Sequence, residues 1–282
     1  LDHLATIANQ GTLGLEVAAL HEQLTRRAEV ERDLEIARDI QMSLFPRELP
    51  RIAGIELYGV SIPAKVVGGD FYDFEDFGSE MLGVSIGDAS GHGLPAALLV
   101  RDVVTGLRMG IEKELKVAHV FEKLNRVIHR SRLSSRFVSV FYGELERDGN
   151  LVYVNAGHQP PILFFKERQP EKPGELELTI GGTVIGPLPE ARFRRGFARV
   201  HPGEVLLMLT DGILERRDKA GEFFGVDRVR EIVREAQDRP AQAILDRLFE
   251  AAFAWGEGRP WEDDATIVVV GSADNFLRPM LI

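Results

Sequence analysis

The chain has no cysteine among its 282 residues. This excludes disulfides, a thiolate zinc site and a cysteine nucleophile, and it fits a reducing compartment, so a cytoplasmic location is expected. Positive charge is scarce too: 34 Lys and Arg stand against 44 Asp and Glu, a formal charge of −10. Such a surface is unsuited to nucleic acid or to an anionic membrane. Long apolar runs are also missing. The longest, "AALLVRDVV", is interrupted by Arg101 and Asp102, so this stretch of chain offers no bilayer span. No methionine or signal peptide stands at Leu1, and the chain reads as part of something longer. What is present, 44% hydrophobic and 28% charged residues, is an ordinary globular composition.

Residues 1–48 differ from the rest. Leu13, Val17, Leu20 and Leu24 follow 4-3-4 spacing, and Val30, Leu34, Ala37, Gln41 and Leu44 resume an apolar stripe after a phase slip near Arg26 and Arg27. With dense charge in "AEVERDLEIARD" and a stop at "FPRELP", the spacing predicts a long amphipathic helix with a seam for a partner helix. A helix packed on its own domain is the alternative. From Ile55 onward, short apolar or alternating runs such as "IELYGVSI", "MLGVSIGD", "LVYVNAG", "EVLLMLTD" and "ATIVVV" read as strands. Turn signals "RDGN" and "EKPGE" make antiparallel hairpins of them. Helical blocks fall at Leu94–Leu133 and at Val226–Trp255, the second split near Pro240. Strands with helices in two clusters predict an α+β layered sandwich. There is no internal repeat and no low-complexity segment.

Four acidic sites share one context, an apolar strand end beside turn residues. Asp70 follows "VVGG", Asp88 follows "LGVSIG", Asp211 follows "VLLMLT", and Asp263 and Asp264 precede "ATIVVV". Any one of them reads equally well as a turn or capping residue. Several meeting at one place would form a cluster of like charges that a cation must neutralise. All-oxygen ligands without cysteine suit Mg2+ or Mn2+. Glycines flank Asp70 and Asp88, and "SGHGLPAALL" opens a helix with Pro95 in its first turn.

The ordered set "GGDFYD", "GDASGHGLPAAL", "NAGHQPPIL", "TDGILE" and "DDATIVVV" resembles the metal-dependent protein phosphatases of type 2C, in the bacterial stage II sporulation phosphatase E and RsbU-like branch, over roughly Ala28–Gly271. The resemblance implies a four-layer α-β-β-α sandwich of two antiparallel sheets flanked by helices, here preceded by a long N-terminal coiled-coil helix. It implies a domain over 49–271, a linker helix over 1–48 and a tail over 272–282. It implies two Mn2+ or Mg2+ ions, a third being an open option, held by Asp70, Asp88, the Ala89 carbonyl, Asp211 and Asp263. Asp88 would bridge the ions and, with Asp70, carry the catalytic site. Asp264 falls where many relatives have asparagine, and a register slip of one residue between Asp263 and Asp264 stays open. Lys65 and His158 are candidate substrate-side or supporting residues, and His92 is a candidate acid or a plain turn histidine. A diguanylate cyclase, suggested by "GGD", fails because Phe71 follows Asp70 and nothing in it accounts for Asp211 or Asp263.

The implied reaction is hydrolysis of phosphoserine or phosphothreonine by metal-activated water, without a covalent enzyme intermediate. The implied substrate is a phosphorylated anti-sigma-factor antagonist of the STAS type in a partner-switching pathway. The two apolar stripes predict a homodimer through the N-terminal helix, and "LATIANQGTLGLEVAALHEQL" resembles the last helix of a GAF sensor domain, which implies that the paired helices run parallel. A catalytically silent binding module and a phosphatase of small phosphoesters are the alternatives.

Overall fold

The computed structural model describes residues 2–78, 80–111, 116–131, 136–166 and 174–272, with side chains described from residue 18 onward. The expectations for the side chains of Leu13 and Val17, for most of "EKPGE" and for the tail beyond Ser272 lie outside the described residues.

Alternation along the strands sets the order of the layers. One sheet is built from β1 (Ile55–Ile62), β11 (Ala265–Ser272), β10 (Val205–Leu209), β6 (Ile162–Phe164) and β7 (Glu175–Glu177), in that order. The other runs β2 (Asp70–Asp76), β3 (Met81–Ala89), β4 (Val138–Glu146), β5 (Asn150–Ala156) and β8 (Gly181–Gly182), with β9 (Gly196–Arg199) also on β5. Leu82, Val84 and Ile86 of β3 point inward against Leu206, Met208, Val268 and Val270 of the facing sheet. Their outward neighbours meet helices. Val138, Val140 and Val154 pack under α2 (Leu94–Ile111) and α3 (Val117–Arg130). Leu207, Ile267 and Val269 pack under α5 (Gly225–Ala236) and α6 (Ala241–Trp255). The result is the expected α-β-β-α sandwich.

The expectation of two purely antiparallel sheets needs one correction: β8 runs parallel to β5. Asn155 causes this. Its backbone N–H donates to the Ile180 carbonyl at 3.0 Å and its Nδ2 to Leu178 at 3.1 Å, drawing the returning chain alongside.

Helix α1 (Asp2–Met42) is present. Its lower part is not a free seam. Gln41 is buried, Leu34 and Ala37 are half-buried, and Leu44 packs beyond the helix end against the core under α2. The second apolar stripe therefore faces the helix's own domain at its lower end. Leu20 and Leu24 stay 57% exposed. Among the described residues no helix is long and apolar enough to cross a membrane.

Candidate metal centre

The predicted aspartates gather at one pole of the sandwich. Antiparallel register sets Asp70 directly opposite Asp88, and Asp88 opposite Ser139. Directly opposed residues share a face, so two carboxylates stand side by side at the inner end of one sheet. The other sheet supplies the rest. Its β10 ends at Leu209, Thr210 leads on into the one-turn helix α4 (Asp211–Leu214), and the Asp263–Asp264 pair leads into β11.

Asp70 is buried and ties the sheets together. Its Oδ2 accepts hydrogen bonds from Thr210 Oγ1 at 2.6 Å and Thr266 Oγ1 at 2.7 Å. Thr210 and Thr266 also bond each other through the backbone at 3.1 Å. Burial, then the nearby Asp88, push the Asp70 carboxyl well above the usual range despite those two donors. Burial, followed by Asp211, Asp263 and Asp264, raises Asp88 to about 7. Asp211 is exposed as a residue, yet partial desolvation of its carboxyl and the charges of Asp263 and Glu215 raise it too. Burial is the main cause of all three shifts, and neighbouring carboxylates add to each: Asp88 at Asp70, Asp211 and Asp263 at Asp88, and Asp263 at Asp211.

The two members of the "DD" pair do different things. Asp263 is exposed. Asp264 is 7% exposed, and both its oxygens accept backbone amides: Ala64 N–H at 2.8 Å and Gly69 N–H at 2.6 Å. Asp264 clamps the segment that leads into Asp70. Glycine is needed there, since a Cβ on Gly68 would lie 2.4 Å from Asp264 Oδ2, and one on Gly69 would lie 2.6 Å from the Ala89 carbonyl oxygen and 3.0 Å from Asp88 Oδ1. The Ala89 carbonyl and the Asp88 carboxylate therefore converge on the same small space. The pair also abuts α4: a Cβ on Gly212 would collide with the Asp264 carbonyl at 1.9 Å.

As their side chains stand, no three His, Asp or Glu among the described residues could hold one ion. Bare carboxylates repel one another. The donor set itself fits hard divalent cations: carboxylate and carbonyl oxygens only, on a cradle kept open by glycine.

The remaining candidates divide. Lys65 and His92 are both exposed, and Lys65 Nζ lies 3.2 Å from His92 Nδ1. His158 is 6% exposed, with Nδ1 2.9 Å from Ser139 Oγ, and burial lowers it to about 4, so it is neutral. It stands behind Asp88 through Ser139, a supporting position and not one from which to touch a phosphoprotein. Asp73, the second aspartate of "GGDFYDF", is no ligand: it forms a two-point ion pair with Arg108 at 2.6 and 2.9 Å.

Sequence reasoning missed Thr210 and Thr266 as holders of Asp70. It missed Arg136, whose Nη1 lies 3.4 Å from the Ser90 carbonyl, one residue past Ala89. It also missed Gln41. The Gln41 side-chain amide donates to the Gly68 carbonyl at 2.7 Å and accepts from the Gly68 N–H at 3.1 Å, pinning α1 to the ligand loop.

RsbU of Bacillus subtilis, named a phosphoserine phosphatase, is 24% identical over 261 residues, covering 92% of this chain and 76% of that protein. IcfG of Synechocystis is 27% identical over 84% of this chain, which spans only 41% of IcfG. The SiaA-PP2C domain of Pseudomonas aeruginosa superposes with a TM-score of 0.74 at 22% identity, over 86% of this chain and 97% of that one. RsbX in complex with magnesium gives 0.60 at 14% identity, over 80% and 99%. These structures share the fold. The model of the Stage II sporulation protein E (SpoIIE) family matches residues 78–272, well over half of the sequence, and the chain therefore belongs to the SpoIIE family of PP2C-type serine/threonine phosphatase domains.

Proposed function

We propose that this chain removes phosphate from phosphoserine or phosphothreonine in a protein substrate, using two Mn2+ or Mg2+ ions held by Asp70, Asp88, the Ala89 carbonyl, Asp211 and Asp263. The observation that carries the reading is the in-register Asp70–Asp88 pair of one sheet facing Asp211 and Asp263 of the other. Two such ions, when bound, supply a water of lowered pKa and screen the phosphoryl oxygens. The chain's own residues do the rest. Thr210 and Thr266 occupy one oxygen of Asp70 and leave the other free to ligate. Asp88 gives up its proton to let the cations in. Asp264 holds the ligand loop, and the exposed, mutually adjacent Lys65 and His92 are the candidate phosphate-binding cation and proton carrier.

Residues 49–271 are the catalytic domain, and 1–48 link it to an upstream sensor and join two chains as a homodimer. The substrate we propose from the resemblance to the RsbU-like branch is a STAS-type anti-sigma-factor antagonist in a cytoplasmic partner-switching pathway; the similarity to RsbU, named a phosphoserine phosphatase, supports the phosphoserine chemistry. The test uses EDTA-treated protein titrated with MnCl2 against a phosphoserine protein, a phosphoserine peptide and a small aryl phosphate. Metal-dependent release from the protein and peptide, exceeding that from the small ester, is expected. Manganese binding without turnover of any of the three would make the chain a silent binding module. Turnover of the small ester alone would assign it a different substrate class.

A further inference from the structure

We propose that Arg216 is a positioning residue for the metal centre, holding the loop that carries Asp263 against the end of α4 and so setting Asp263 relative to Asp211. The inference rests on the assignment of those two aspartates as metal ligands.

Arg216 follows α4 by two residues, and its side chain is fully buried. In sequence it belongs to the charged run "ERRDK", where a solvated loop would be expected. Instead the guanidinium reaches across to residues 259–262. Nη1 donates to the Pro260 carbonyl at 2.6 Å and to Glu262 Oε2 at 2.5 Å, and Nη2 donates to the Arg259 carbonyl. Trp261 lays its ring 4.8 Å from the guanidinium carbon and is itself braced by Phe249 and Phe253 of α6. The clasp is reciprocal: Arg259 donates from Nη2 to the Arg217 carbonyl at 2.5 Å and from Nε to the Gly256 carbonyl at 3.0 Å. Lys219 and Glu257 pair alongside.

The seat is cut for this side chain. A Cβ on Gly256 would fall 2.0 Å from Arg216 Nε, so the guanidinium fills the volume that any other residue at 256 would claim. Burying a guanidinium is costly, and a lone pair to Glu262 is a weak route to stability. What this arrangement supplies is direction. A planar fork bonded to residues 259, 260 and 262 fixes the course of the chain up to the next residue, which is Asp263. Lysine carries its three donors on one rotating nitrogen and lacks the planar fork that spans Arg259, Pro260 and Glu262.

The experiment compares the wild-type chain with Arg216→Met, Arg216→Lys and Gly256→Ala. Gly256→Ala keeps the arginine but displaces its guanidinium, which covers the case in which an Arg216 variant does not fold. Calorimetric titration of EDTA-treated protein with MnCl2, amide hydrogen exchange without metal, and turnover against manganese concentration are measured. The expected result is a manganese dissociation constant raised about 10- to 100-fold, the range for residues that orient metal ligands. Faster exchange is expected only in residues 256–264, with turnover restored by excess manganese. A folded variant with unchanged manganese affinity, or one whose exchange rises across the whole domain, overturns the proposal. Absence of manganese binding by the wild type would instead overturn the ligand assignment beneath it.

Discussion

Asp263→Ala and Asp264→Ala should fail in opposite ways. Asp264 accepts two backbone amides through separate oxygens, one at the buried Gly69 and one at the half-buried Ala64. A hydrogen bond to a charged group contributes about 1.5–3 kcal/mol, and a donor left buried adds its own penalty. Because Ala64 retains some access to water, the loss from Asp264→Ala is about 2–5 kcal/mol. For a domain of this size that lowers Tm by roughly 5–15 °C. Asp263 is exposed; Asp263→Ala removes one hydrogen bond, from the Asp264 N–H at 2.9 Å, but also relieves repulsion with Asp88 and Asp211, so metal-free stability should change by no more than about 1 kcal/mol. Manganese binding reverses the ranking. Removing a direct ligand should cost more than the roughly 100-fold upper range for outer partners, whereas Asp264→Ala, acting through Gly69 and Asp70, should stay inside that range. Thermal melts in EDTA and calorimetric MnCl2 titrations at low temperature give both numbers, and turnover at saturating manganese should survive in Asp264→Ala only. Equal destabilisation by the two substitutions, or turnover lost in Asp264→Ala and kept in Asp263→Ala, would refute the division of roles.

Asp88→Asn should abolish phosphate release at any manganese concentration while the domain stays folded, as circular dichroism would verify. The raised Asp88, near 7 against an ordinary 3.8, means the metal-free folded state keeps a proton that the unfolded chain has released, so metal-free stability should decline from about pH 4 to about pH 7. Asp88→Asn should flatten that decline in pH-dependent melts. Manganese must displace the same proton, so apparent affinity should rise with pH up to about 7 and then level off, which calorimetry in buffers of different pH would show. Gln41→Leu removes both bonds from α1 to Gly68 and should weaken manganese binding without altering Asp88 titration, checked by the same calorimetry. A fragment beginning at Ile52 should be monomeric by light scattering and should differ from the full chain in manganese dependence.

Much of this was legible in the residues. Apolar alternation located the strands, and the placement of Asp70, Asp88, Asp211 and Asp263 at strand ends anticipated that they would be drawn to one pole. Strand alternation even separates the two aspartates of "GGDFYDF", because positions three apart fall on opposite faces. Asp70 turns inward to the threonines and Asp73 outward to Arg108. The supporting residues were not legible, for a physical reason. Thr210 and Thr266 read as ordinary strand formers, Gln41 as a polar position within a helical stripe, and Arg216 as one charge among several. Each acquires its role from a partner between 27 and 196 residues away, as the Gln41–Gly68 and Thr266–Asp70 bonds show. Local pattern carries no information about such a partner.

Helix α1 changes sides as it descends, and this limits what a pair of chains could look like. At 100° per residue, the face holding Leu20 and Leu24 and the face holding Leu34, Ala37 and Gln41 are separated by roughly a quarter turn. The second face is taken by the helix's own domain, so a partner seated over Leu20 and Leu24 could not follow the groove to its end. Two paired chains would run together through the upper helix and fork near Arg27, each leg bolted to its own body by Gln41. In a forked frame, a small twist above the crotch becomes a wide swing below it. The first bond to bear the load would be the one between Gln41 and Gly68, two residues from Asp70.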